Sequence, residues 1–282
     1  MGQTSSKVVH RTLNALSSSL NDFRAAYGKA AEQTPQVHEV IDAVKQKRVI
    51  YLAEPWITAD TNTVANELLF RFRPNREKLY SYGTICNSIH NAGLTAEFDL
   101  VNVFNILSWI PDDVKNTAAT INLSHDLLIN QKLMNQIVEL MDKRKGPPVI
   151  FEILEDARQF TAPQIAYLKS LKDKGLCFAL DDFRVSHPSD WQRLASLKDV
   201  LTYVKLDGED SVRPFLDGES GELVAFAENI KAIQSTCGTS KRIIAEWVQN
   251  REEADICYAS GVYAIQGHDI IMHQSNPSNP NP

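Results

Sequence analysis

Apolar residues along this chain change their period near residue 49. Before it, Val9, Leu13, Leu16, Leu20, Phe23 and Tyr27 recur at spacings of 4, 3, 4, 3 and 4. That is the a/d seam of a helix about three heptads long, which fits either self-association or packing on the rest of the chain. Ala31 to Gln36, with Pro35, breaks the pattern ahead of a second short helix over Val37–Lys47. From Val49 onward, short strand-like runs alternate with helical patterns. Strands are predicted near Val49–Ala53, Val64–Phe72, Ala119–Leu123, Val149–Leu154, Cys177–Asp182, Leu201–Leu206, Arg242–Trp247 and Tyr263–Gln266. Helices between them include Phe98–Ile110, Leu127–Lys143, Ala162–Lys174 and Leu223–Ser235. Eight strands alternating with helices over about 230 residues predict a single α/β barrel. The expected organisation is an N-terminal helical segment at 1–36, a barrel domain at 37–272, and a tail at 273–282 rich enough in Asn, Pro and Ser to predict disorder.

The apolar run that begins at Cys177 ends on two adjacent carboxylates, Asp181 and Asp182. Two anions repel each other and resist burial unless cations or strong donors compensate them. Neighbouring strand residues point to opposite faces, so one metal ion can take both only where the strand is ending. A polar turn accounts for such a pair in isolation, but this pair is not isolated. Glu67, Asn122, Glu152, Lys205, Glu246 and Gln266 stand within or just after other strand runs. In an α/β barrel these places converge at the carboxyl face, where active sites form. Carboxylates with an amide oxygen make a hard, all-oxygen ligand set suited to Mg²⁺ or Mn²⁺ rather than zinc. A lysine among them can orient or deprotonate a water, or offset charge on an attacked phosphate. Taken singly, each residue has a plain alternative: a glutamate facing solvent, an asparagine satisfying backbone groups, a lysine snorkelling at an edge. The coincidence across strands is what points to a site.

Composition narrows the partners. The net charge of −6 argues against general affinity for nucleic acid polymers or anionic membranes, but leaves room for a small phosphorylated ligand in a metal site. Cys86, Cys177, Cys237 and Cys257 form no C-x-x-C pair or zinc spacing, so reduced, mostly buried thiols and a cytoplasmic location are expected. No stretch approaches the apolar length of a membrane span.

The strand-end residues occur in an order that resembles the EAL domain family, cyclic di-GMP phosphodiesterases folded as a modified (β/α)8 TIM barrel. The resemblance runs from about Val49 to Ile270. Glu67-Leu68-Leu69-Phe70-Arg71 stands where the family writes Glu-Ala-Leu-Leu-Arg. Ile121-Asn122-Leu123-Ser124 is similar to Val-Asn-Leu-Ser, and Phe151-Glu152-Ile153-Leu154-Glu155 to Glu-Ile-Thr-Glu with leucine for threonine. Ala179-Leu180-Asp181-Asp182-Phe183, Val204-Lys205-Leu206-Asp207, Ala245-Glu246 and Gln266-Gly267 follow in the family's order. The resemblance implies that Glu67, Asn122, Glu152 and Asp181 hold one metal ion and that Asp182 joins a second ion and the shared water. Lys205 would position or activate that water, and Glu246 and Gln266 would complete the metal and water shell. It further implies that Arg71 contacts a ligand phosphate, that Asp99 binds guanine, and that Glu155 braces the loop after the paired aspartates. The implied cofactors are two Mg²⁺ or Mn²⁺ ions, and the implied reaction is two-metal hydrolysis of cyclic di-GMP to linear pGpG in a homodimer.

The pattern breaks just past Asp182. The family has a glycine-rich loop there, roughly Gly-x-Gly-Tyr-Ser-Ser-Leu, and this chain has Arg184-Val185-Ser186-His187-Pro188-Ser189-Asp190-Trp191. The interval to Lys205 is about three residues longer than usual. Arginine and proline lack glycine's backbone freedom. Glu54 stands where glutamine precedes Pro55 in the family, Trp247 where glycine follows the glutamate, and Gln249 where a second glutamate is usual. The ligands favour a working phosphodiesterase. The altered loop leaves two alternatives open: a catalytically inactive domain acting as a cyclic di-GMP receptor, or a protein-interaction module. A protein partner through the N-terminal helix is a further expectation. Met1-Gly2-Gln3-Thr4-Ser5-Ser6 also fits the N-myristoylation pattern. Coincidence is the simplest account of it, and delivery into a eukaryotic host with acylation at Gly2 is the sharper one.

Overall fold

A computed structural model describes residue 43 and residues 48–73, 79–108, 117–144, 146–156, 158–212, 215–216, 220–238 and 242–267. The heptad seam Val9–Tyr27, the break at Ala31–Gln36, nearly all of the Val37–Lys47 helix, Gly2 and the tail 273–282 lie outside the described residues.

Nine strands form one sheet: β1 (Val49–Ile57), β2 (Thr63–Phe72), β3 (Tyr80–Ser81), β4 (Ala118–Leu123), β5 (Val149–Ile153), β6 (Cys177–Phe183), β7 (Tyr203–Leu206), β8 (Arg242–Ala245) and β9 (Ala264–Ile265). Their order is β1-β9-β8-β7-β6-β5-β4-β2-β3, and a further β1–β2 pairing closes eight of the nine into a ring. Pairing is parallel from β5 through β9 and between β2 and β4, as right-handed βαβ crossovers produce. Antiparallel pairing joins β1 to β9 at Ile57↔Ile265 and β2 to β3 at Arg71↔Ser81 and Phe72↔Tyr80. This is a modified TIM barrel, the predicted architecture.

Several boundaries moved for local reasons. β1 was predicted to end near Ala53, yet the strand continues through Pro55 to Ile57, and its pair with β9 falls beyond the proline. The predicted helix Leu127–Lys143 is two helices, α3 (His125–Ile129) and α4 (Gln131–Lys143). Asn130 leaves helical geometry between them, and its side chain accepts from Leu133 N, an N-cap. The segment after Asp182 is a short loop and then helix α6 (Pro188–Leu197), opened by proline at its first position.

The chain divides into two compact units. One comprises Leu68–Lys115 and Ile121–Pro147 together with the residues up to Ala53. Its core holds Phe70 and Phe72 of β2, Ile89 of α1 (Cys86–Asn91), and Phe98 and Val101 of α2 (Thr95–Ser108). Phe98 meets Phe70 edge to face at 5.3 Å and stacks on Tyr82 at 5.6 Å. The other unit comprises Glu54–Glu67, Asn116–Thr120 and Pro148 onward. It also holds α5 (Ala162–Asp173), α7 (Ser220–Cys237) and α8 (Arg251–Ala259).

An apolar layer in this second unit sets up the site. Ala65, Ile150, Ala179, Ile244 and Ala264 pack with Trp56, and Ala118 and Tyr203 pack against them. Side chains two apart on a strand share a face. Two residues beyond each of these except Trp56 stand Glu67, Glu152, Asp181, Glu246, Gln266, Thr120 and Lys205. Strand periodicity alone therefore turns a second, polar layer inward, one step toward the carboxyl ends. The four cysteines are free thiols, Cys237 and Cys257 buried and the other two half-buried.

Candidate active site

Lys205 is the centre of the polar layer. It is 1% exposed, and its Nζ lies 2.7 Å from Asp181 Oδ1, 2.7 Å from Glu246 Oε1, 2.9 Å from Glu152 Oε2 and 3.1 Å from Glu67 Oε2. Burial alone drives a lysine toward its neutral form. Here the negative charges of Asp181, Glu152, Glu246 and Glu67 outweigh burial and hold Lys205 protonated well above its ordinary range. One ammonium does not neutralise four carboxylates. Burial raises Glu152 well above the ordinary carboxylate range, Glu67 adds to it, and Lys205 opposes. Burial likewise raises Asp181 and Glu246, with Lys205 again opposing.

Gln266 ties the layer to β1. Trp56 Nε1 donates to Gln266 Oε1 at 2.7 Å, which leaves the Gln266 amide nitrogen to donate to Glu67 Oε2 at 2.7 Å and to Glu54 Oε2 at 3.2 Å. Glu54 and Trp56 were absent from the predicted site. Trp56 carried no signal beyond being an apolar residue, and Glu54 was visible only as a departure from glutamine.

The paired aspartates act together through a bulge rather than a strand end. β6 continues to Phe183, but its register against β7 shifts between Leu180↔Val204 and Phe183↔Leu206, so Asp181 and Asp182 both stand opposite Lys205. Asp182 takes a left-handed backbone at φ 46°, unusual for a side chain with a Cβ. Ligating oxygens of Asp181, Asp182 and Glu246 lie within 4.8 Å of one another. Burial and the neighbouring Asp181 charge raise Asp182 to about 6.

Glu155 forms an ion pair with Arg184, in the loop that replaces the glycine-rich one. Arg184 donates from its backbone N and Nε to Asp190 Oδ2 at 3.2 and 3.1 Å. Trp191 Nε1 donates to Val185 O at 2.8 Å, and its ring meets Phe183 edge to face at 5.2 Å. Trp247 keeps the left-handed backbone, φ 59°, at the position where the resemblance expects glycine. Its indole lies over Gly208, where an added Cβ would come within 2.4 Å of Cγ.

The other three predicted residues belong to the first unit. Asn122 is half-buried on β4. Arg71, half-buried on β2, donates from Nη1 to Phe70 O at 3.0 Å. Asp99 on α2 is buried and accepts from Ser124 N at 2.9 Å. Burial raises its carboxyl to about 7 against that hydrogen bond. The seven predicted residues of the second unit's polar layer and bulge, Glu67, Glu152, Asp181, Asp182, Lys205, Glu246 and Gln266, come together.

The family model of the EAL domain matches residues 38–272. The chain is 22% identical over 250 residues to the cyclic di-GMP phosphodiesterase PdeF of Escherichia coli (strain K12), a match covering 85% of this chain and 32% of the relative. It thus spans about a third of that relative's length. Among solved structures, an EAL domain protein from Listeria monocytogenes EGD-e superposes with a TM-score of 0.69 at 16% identity, over 83% of this chain and 92% of that one. The FimX EAL domain from Pseudomonas aeruginosa, solved bound to c-di-GMP, gives a TM-score of 0.65 at 18% identity, over 83% and 93%. No helix among the described residues is long and apolar enough to cross a membrane.

Proposed function

The chain belongs to the EAL domain family, and from that membership and the geometry around Lys205 we propose that it hydrolyses cyclic di-GMP to linear pGpG. The observation that carries this reading is the charge imbalance of the polar layer. Glu67, Glu152, Asp181 and Glu246 share a single lysine, and Asp182 adds a further carboxyl beside Asp181. Glu152 Oε1 is buried with no hydrogen-bond partner among the described residues. Buried oxygens short of positive charge and short of donors fit hard divalent cations. EAL domains generally use such ions. Glu67, Glu152, Asp181, Asp182 and Glu246 would hold two Mg²⁺ or Mn²⁺. Bound there, the ions would supply Lewis-acid activation of the phosphate and of water.

The residues of the chain do the rest. Lys205, kept protonated by its neighbours, is a donor in this arrangement and not a proton acceptor. It would orient the attacking water and offset charge growing on the phosphate oxygens. Glu246, whose Oε1 lies 2.7 Å from Lys205 Nζ, would take the proton that water releases. The new P–O bond would form as the bond from phosphorus to the ribose 3′-oxygen breaks, one water being consumed and the proton taken from it passing to the departing 3′-oxygen. Gln266, its oxygen engaged by Trp56, would hold Glu67 in place through its amide nitrogen. Arg71 would contact a phosphate and Asp99 a guanine. Glu155 would brace the following loop, a reading supported by its pairing with Arg184.

The replaced loop favours a second reading, a receptor that binds cyclic di-GMP without turnover. Purified protein incubated with cyclic di-GMP and Mn²⁺ or Mg²⁺ should yield pGpG on chromatography. Calorimetric binding with no product would leave the receptor, and neither product nor binding would leave a protein-interaction module.

A further inference from the structure

The β5–β6 ladder stops where the paired aspartates begin. Its last pair is Ile153↔Leu180, and the bulge at Asp181 and Asp182 follows. A bulge interrupts the regular exchange of backbone hydrogen bonds, and a buried carbonyl left without a donor costs about 1–3 kcal/mol. Two carbonyls at this point share one donor. Arg193 Nη2 lies 2.6 Å from Asp181 O and 3.2 Å from Ile153 O, bridging the two strands where their ladder ends.

Arg193 is an unusual residue to find there. It lies in α6 and is only 4% exposed, and Nε and Nη1 have no hydrogen-bond partner among the described residues. Taking a guanidinium out of water is costly when its donors are not all used. Its nearest carboxylate is Asp190, with Nη1 to Oδ1 at 3.8 Å, and Asp190 also receives Arg184, which pairs with Glu155. A chain of alternating charge thus runs Glu155, Arg184, Asp190, Arg193 and ends on the backbone of Asp181. Beside that end Asp182 sits in its left-handed conformation, which costs roughly 1–2 kcal/mol in a residue other than glycine and persists only where the surroundings enforce it.

We propose that Arg193 is a positioning residue for the paired aspartates: by bridging Asp181 O and Ile153 O it fixes the bulge that turns both carboxylates toward Glu246, and so sets the affinity of the cluster for divalent cations. This rests on the metal-site reading given above. Charge-assisted hydrogen bonds to the backbone are strong and directional, so one side chain is enough to hold the bulge.

The test is Mn²⁺ binding to the purified full chain by titration calorimetry, with circular dichroism and thermal unfolding on every variant. Arg193→Met should bind Mn²⁺ roughly tenfold or more weakly, the scale of loss when the support behind a ligand is removed. Arg193→Lys, which keeps a donor for one carbonyl, should recover part of that affinity. Leu194→Ala, a buried neighbour in the same helix, should lower the melting temperature and leave Mn²⁺ affinity unchanged. Should Arg193→Met not fold, Asp190→Asn removes the arginine's carboxylate partner and should weaken Mn²⁺ several-fold. Wild-type affinity in a folded Arg193→Met, or in Asp190→Asn where that variant stands in, would overturn the proposal. An equal loss in Leu194→Ala would do the same. If the wild-type chain binds no Mn²⁺, the metal reading itself falls and takes this inference with it.

Discussion

Two charged clusters, one around Lys205 and one linking Glu155 to Arg193, solve the same electrostatic problem in opposite ways. Around Lys205, four carboxylates face one ammonium. In the second cluster, Glu155 after β5 and Asp190 in α6 face Arg184 and Arg193, so anions and cations are equal in number. The first region is short of positive charge; the second is electrically balanced. On the proposals made above, the difference separates residues that would bind an ion from residues that would hold them in place, which sequence motifs alone do not do.

The comparison breaks most sharply at Lys205. Lys205→Met leaves the carboxylates buried without their cation and should cost about 4 kcal/mol of stability in chelator, the scale for removing one partner of a buried ion pair. Chemical denaturation measures it, and added Mn²⁺ should restore part of the loss. No change in chelator would mean that the carboxylates were already neutral and that Lys205 compensates nothing.

Asp99 sharpens the comparison as a carboxylate with a backbone N–H for a partner and burial as its dominant influence. Its folded value of about 7 lies above the ordinary 3.8. Between those values the native chain holds a proton that the unfolded chain has released, so stability falls as pH rises through the window and levels off above it. Asp99→Asn should remove about 3 kcal/mol of that decline between pH 4 and pH 7, read from urea unfolding at each pH. Parallel pH curves for the two proteins would contradict the assignment.

The smallest effect belongs to the balanced region. Arg184→Ala breaks ion pairs that are partly open to solvent, and should cost about 1 kcal/mol or less, shrinking further in high salt. A cost matching that of Lys205→Met, by the same denaturation, would erase the distinction between the two regions.

Much of this was legible because strands have a period of two. Glu67, Glu152, Lys205 and Glu246 could be placed together from their positions in apolar runs, since each follows an inward-facing layer residue by two. The bulge was not legible. Nothing in Asp181-Asp182 distinguishes a strand that ends from one that slips by a residue, and the slip is settled by pairing with β7. Arg193 was invisible for a different reason: an arginine in a helix usually faces water, and only tertiary packing decides that this one points at two carbonyls. The run of β1 past Ala53 was not legible either, since Pro55 lacks an N–H and is tolerated in a strand only where no ladder partner asks for it.

The two-residue offset between the apolar layer and the polar layer has an evolutionary consequence. Deleting one residue from a strand between the layers would swing a single ligand to the outer face while the helices, loops and most of the barrel stayed as they are. Members of this fold that lose chemistry and keep their shape are therefore only one codon away. Deletions of two would shorten the strand and leave its polar residue facing inward.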